Sequence, residues 1–199
     1  LISKRIILSN IWSKKNGLDV IIKHIHKFFN LDDVDTKKTV MFYACKLDKE
    51  YSKNLLKVGQ VLMQGTEKDI FIGKQIIDWI DDSLGKEEKW KQYSSIYLTK
   101  KNTIYKKIIS KNIIESYPDI EKTISIESKR VLAVEEKFAY LELSEKVISS
   151  LIVFKYLTIE YQNLKSRFNV LDYDDLIYFT YNLFKKNDIA PWVLFKLDQ

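Results

Sequence analysis

Cysteine, proline and glycine are scarce in this 199-residue chain: one Cys, two Pro and five Gly. One Cys excludes an internal disulfide framework and any paired-cysteine zinc site. Cys45 reads as a small buried hydrophobe rather than a nucleophile, in keeping with a reducing, cytoplasmic setting. So little Gly and Pro argues against a loop-rich sandwich, a barrel or a glycine-turn nucleotide fold. No apolar run reaches the roughly 18 residues that a membrane span needs, and the start Leu1-Ile2-Ser3-Lys4-Arg5-Ile6 has no signal-peptide core. No membrane partner is expected. A phosphate-cradling loop is missing too: Gly73-Lys74-Gln75 lacks the upstream Gly and the Ser or Thr after Lys that a Walker A nest requires, and no GxGxxG occurs. His24 and His26 are two apart on a helix and point away from each other, so they make poor joint metal ligands. No catalytic constellation, cofactor or metal is therefore expected in this chain.

What the chain does have is apolar residues at helical spacing, with 46% hydrophobic and 30% charged residues. The length suits one domain, or two small ones. Leu18 to Phe29 reads as an amphipathic helix, and further helices are expected over about 37–48, 51–63 and up to 81. Gly65-Thr66 marks a break with Thr66 as cap and Asp69 three residues on. Residues 83–86 form another break, followed by a short helix over 87–94. Ile96-Tyr97-Leu98-Thr99 reads as extended and Ile104 to Ile114 as helical. From Pro118 a periodic run continues to Phe168; its length predicts two helices with a break near 124–130. Asp172 stands where an N-cap belongs, with Asp175 three residues on, before a helix to about Lys186. Asn187-Asp188 breaks it, and Pro191 opens a last helix carrying Trp192 and Phe195. The expected fold is all-α, an irregular helical bundle packed around one or two long helices. With no Met at the start and no polar tail at the end, the chain is expected to be a piece of a longer one.

The net charge is +6. From Lys86 to Lys111 there are eight lysines against Glu87 and Glu88, a local excess equal to that of the whole chain. Trp90, Tyr93, Tyr97 and Tyr105 interleave with them. Basic residues mixed with aromatics suit phosphate neutralisation with base stacking, and equally a solvated lysine-rich face. Arg is nearly absent, which points to sequence-independent contacts. Lys91, Lys100, Lys101, Lys106, Lys107, Tyr97 and Tyr105 are the candidate DNA-binding residues. Asp172, Asp174 and Asp175 are the densest carboxylate group, and capping accounts for two of them.

The segment Asn169-Val170-Leu171-Asp172-Tyr173-Asp174-Asp175-Leu176-Ile177-Tyr178 resembles the LDFDDLI signature of UvrD-like superfamily 1 DNA helicases. Ala190-Pro191-Trp192-Val193-Leu194-Phe195-Lys196-Leu197-Asp198 is similar to the WVLYKLD segment that follows it. Within that superfamily the resemblance is closest to the AddA helicase-nuclease subunits of double-strand break repair in their alphaproteobacterial form. Tyr97-Leu98-Thr99-Lys100-Lys101, Tyr105-Lys106-Lys107, Tyr117-Pro118-Asp119 and the pair Tyr161 and Lys165 resemble the same proteins, so that about residues 90–199 are covered. The resemblance implies an excised helical accessory domain, 1B, over residues 1–168. A return segment over 169–199 would lead into motor domain 1A and end before the Walker B box. It implies that ATP and Mg belong to a parent 3′–5′ helicase with exonuclease activity, outside this chain. It implies DNA, the motor domains of the same polypeptide and a second nuclease subunit as partners. Leu171, Asp172, Tyr173, Asp174, Asp175 and Leu176 carry the family signature, and the likeness implies that Asp172, Tyr173 and Asp175 support the motor core near the nucleotide and DNA clefts without being the Mg ligand or the catalytic Glu. Tyr173 departs from the usual Phe. The alternative expectation is a helical protein-interaction module that does not bind DNA.

Overall fold

The computed structural model describes residues 11–12, 16–81, 85–184 and 190–197. Among these the chain is all-α, without a strand. In chain order the helices are α1 (Gly17–Phe28), α2 (Lys37–Cys45), α3 (Lys49–Leu62), α4 (Glu67–Asp81), α5 (Lys86–Tyr97), α6 (Lys111–Ser116), α7 (Pro118–Phe168), α8 (Tyr173–Phe184) and α9 (Ala190–Leu197). Contacts divide the chain into two compact units, Phe29–Leu143 and Leu1–Phe28 with Ser144–Gln199. Of the break expected at 83–86, residues 83–84 lie outside the described residues while Gly85 precedes α5, which starts at Lys86; Asn187-Asp188 lies outside the described residues too.

Local chemistry starts several helices where the spacing places them. Thr36 and Thr39 form a reciprocal capping box before α2, each hydroxyl accepting from the other's backbone N–H. Asp48 caps α3. At the start of α4 the expected Thr66–Asp69 pair forms: the Asp69 carboxylate accepts from Thr66 N at 2.9 Å, and Asp69 N donates to Thr66 Oγ1.

The unit Phe29–Leu143 is a helical bundle with a main apolar core and a smaller cluster of Leu31, Val40 and Leu141. Leu55, Val58 and Leu62 of α3 meet Ile72, Ile76 and Trp79 of α4, and α5 adds Trp90, Tyr93, Ile96 and Tyr97. Ile120, Ile124 and Val131 of α7 close it. Gly73, a poor helix former, faces Gly59 where α4 passes close to α3. A Cβ there would stand 2.7 Å from the Gly59 carbonyl oxygen, a backbone atom that cannot swing aside. Gly73→Ala is therefore expected to lose about 1–3 kcal/mol in urea unfolding, despite its better helix propensity. A variant more stable than the parent chain would show that this approach is not tight.

The break expected near 124–130 is absent. α7 runs unbroken for 51 residues. After Pro118 it contains neither Pro nor Gly as far as Phe168. Its polar interior residues are also compatible with a helix: the Ser128 and Thr123 hydroxyls donate back to the carbonyls of Ile124 and Asp119. It stops where Asn169 takes a left-handed conformation, φ 53°. Asn169 N then donates to Ser166 O and Val170 N to Lys165 O, a Schellman closure.

Candidate nucleic-acid interface

The segment between α5 and α6 carries four of the lysines singled out by sequence. Helix α5 extends through Ile96 and Tyr97, so these two residues are helical rather than extended, because both side chains are drawn into the core. Leu98 then pairs with Ile104 in a single antiparallel bridge. Between them Asn102 N donates to Thr99 O, and Thr99 N to Thr103 O at 2.8 Å. This places Lys100 and Lys101 at the two central positions of a tight turn, with Asn102 left-handed after them. Residues 104–110 are irregular, not helical as expected, and the helix is confined to Lys111–Ser116.

Both ends of this segment are held. Tyr105 N donates to Tyr97 O, and Ser110 N donates to the Asp69 carboxylate at 2.9 Å. Burial by itself would raise the Asp69 carboxyl, but the hydrogen bonds from Ser110 and Thr66 outweigh it and hold it below its ordinary value. Its contribution to stability is thus complete above the normal carboxylate range and is lost as pH falls through the lowered value. Asp69→Ala is expected to cost about 1–3 kcal/mol at pH 7, since it removes a cap and leaves the Ser110 N–H unpaired. The stability gap between parent and variant in urea should narrow as pH drops below about 4. A gap that stays constant down to pH 3 would contradict this role.

Lys100, Lys101, Lys106 and Lys107 are exposed on this segment, and Lys91 is exposed on α5. None of the five has an acidic partner among the described residues. The aromatic half of the expected patch is corrected by the structure. Trp90, Tyr93 and Tyr97 belong to the core; Tyr97 is 0% exposed, so its ring has no face on which a base could stack. Of the interleaved aromatics Tyr105 alone is on the surface, at 43%.

Beneath α5 lies a polar cluster that sequence reasoning missed. Glu127 of α7, fully buried, accepts from Tyr51 Oη at 2.7 Å and Tyr93 Oη at 2.6 Å. It also accepts from Arg130 through Nε and Nη2, while Arg130 Nη1 donates to Ala44 O. Tyr97 Oη donates to Tyr93 Oη. Burial and the Glu127 charge push the phenols of Tyr51, Tyr93 and Tyr97 far up, so all three stay neutral donors. Glu127 outweighs the effect of burial on Arg130 and keeps it firmly protonated. The cluster ties α2, α3, α5 and α7 together and fixes Tyr97, from which the lysine segment departs. Tyr93 and Tyr51 lie 34 and 76 residues from Glu127, so the three-residue spacing of Glu127 and Arg130, an ordinary helix pair in sequence, does not announce the cluster.

The signature residues lie in the other unit. Asp172 and Asp175 form a reciprocal capping box at the start of α8: Asp175 N donates to Asp172 Oδ1 and Asp172 N to Asp175 Oδ2. The capping role expected of them is present. Lys165, itself buried, forms an ion pair with Asp175 and another with Asp172. Tyr161 Oη donates to Asp172 Oδ2 at 2.9 Å, and the Lys165 ammonium lies 4.8 Å from the Tyr161 ring centre. The structure thus brings Tyr161 and Lys165 onto the two aspartates. Leu171, Tyr173 and Leu176 are exposed, and Asp174 is half-buried.

Cys45 is half-buried and its thiol is pushed up by burial, as suits a packing residue. Among the described residues no three His, Cys, Asp or Glu side chains stand together in a way that could hold a metal ion. Nor is any helix among them long and apolar enough to cross a membrane. The chain matches no protein-family model, no curated protein and no solved structure.

Proposed function

We propose that this chain is a DNA-contacting accessory domain of a cytoplasmic, ATP-dependent DNA helicase and exonuclease acting in double-strand break repair and recombination. In this reading residues 1–168 are the 1B block and 169–199 the return towards the motor. ATP and Mg act in the parent protein, and the chain itself is not catalytic. The observation that carries the reading is the set Lys100, Lys101, Lys106 and Lys107. These four exposed lysines, without acidic partners among the described residues, sit on one segment pinned at both ends. Such a cluster suits phosphates of any sequence. Titration of labelled DNA with the whole chain at low salt tests it. Dissociation constants of about 1–100 μM are expected, with binding falling off steeply as salt is added.

A second observation favours protein contacts. In the unit that carries the signature, large apolar residues stand in solvent: Tyr173 is 86% exposed, and Phe168, Leu157, Trp192 and Phe195 are each more than half exposed. These suit docking onto the motor domains of the same polypeptide or onto a second nuclease subunit. If no DNA binds at about 100 μM protein, a helical interaction module is the reading that remains.

A further inference from the structure

A pocket of about 260 Å³ opens between α4, the outer face of α5 and the lysine segment, within the unit Phe29–Leu143. Its floor is apolar, made by the buried Ile72, Ile96 and Ile108. Two exposed aromatic rings line it: Phe71 of α4, at 61%, and Tyr105. Gln75, Gln92 and Ser95 supply donors and acceptors. Lys68 and Lys107 also line it, and neither has an acidic partner among the described residues.

We propose that this pocket takes one unstacked nucleobase of a single-stranded DNA, between Phe71 and Tyr105, with the neighbouring phosphates on Lys68 and Lys107. This rests on the DNA-contacting reading above and adds which form of DNA the face holds. An apolar floor, aromatic walls and a few amides form a lining on which any base can stack. A paired base inside a duplex offers only its edges in the grooves, so a pocket of this kind selects a strand whose bases are free to leave the stack. The volume is below that of drug-sized ligand sites and suits a single base. Phe71 escaped the sequence reading because it stands 15 residues before the basic run and breaks the apolar stripe of its own helix.

The test compares two labelled oligomers of equal length and charge, oligo-dT and its abasic counterpart, by fluorescence anisotropy with the whole chain. Oligo-dT is expected to bind about tenfold more tightly. Phe71→Ala should remove that advantage and leave the abasic affinity unchanged, whereas Lys68→Ala should weaken both. Phe71 is exposed, so the variant should fold; far-UV circular dichroism checks this, and the parent-chain comparison needs no variant at all. Equal, salt-sensitive binding of both oligomers by the parent chain overturns the base pocket and leaves the phosphate reading standing. A base-dependent gain that survives Phe71→Ala also overturns it. Binding of neither oligomer removes both readings together.

Discussion

Glu127→Ala is expected to destabilise the unit Phe29–Leu143 by about 3–5 kcal/mol, a large effect for a single residue. The change deletes the acceptor for two phenols and for both arms of the Arg130 fork. What remains is a cation, most of whose surface is buried, lying 5.8 Å from the ring centres of Trp79 and Trp90 with only the Ala44 carbonyl to bind. The cost comes from that stranded charge more than from the missing attraction. Removing both partners, as in Glu127→Leu with Arg130→Met, should accordingly cost less than Glu127→Ala alone. Urea unfolding of the two variants measures the difference. A single variant within about 1 kcal/mol of the parent would mean that the cluster does not hold these helices together.

The second large effect concerns binding. The combined variant K100Q, K101Q, K106Q and K107Q is expected to lose DNA affinity by about 100-fold or more at low salt, with stability nearly unchanged. Each of these side chains is exposed and lacks an acidic partner among the described residues, so its removal breaks no ion pair within the described fold. The segment's shape depends on backbone bonds, on the Thr99–Thr103 hydroxyl pair and on Asp69, all of which remain. Gln keeps length and polarity while removing charge, so the weakened binding reports electrostatics. The effect should be similar for oligonucleotides of unrelated sequence, because ammonium groups read phosphates rather than base edges.

How much of this was legible in the chain depends on the range of the interactions. Thr66 with Asp69 and Asp172 with Asp175 were readable because a cap and its partner lie three residues apart. The all-α class followed from the apolar spacing over most of the length. The end of α7 at Phe168 matches the end of the periodic run, but its unbroken course does not follow from length alone; length argues for a break that no Pro or Gly is there to make. Ile104–Ile114 shows the opposite failure. Its composition permits a helix, yet the bond from Tyr105 N to Tyr97 O and capture of the Ser110 amide by Asp69 hold residues 104–110 irregular. Tyr97 illustrates the limit for sites: an aromatic among lysines looks the same in sequence whether its ring faces solvent or the core. Glu127 and Arg130 form an ordinary i,i+3 helix pair in sequence; what sets them apart, bonds to Tyr51, Tyr93 and the Ala44 carbonyl, comes from distant parts of the chain, as does the pairing of Phe71 with Tyr105 around one pocket.

The salt dependence of DNA binding, for the parent chain and the four-lysine variant side by side, reaches the central claim most directly. If Lys100, Lys101, Lys106 and Lys107 each neutralise a phosphate, the slope of log affinity against log salt should become shallower by about 3 in the variant, at roughly 0.7–0.9 for each phosphate no longer neutralised. An unchanged slope and affinity would contradict the account and put the DNA-binding surface elsewhere on the chain.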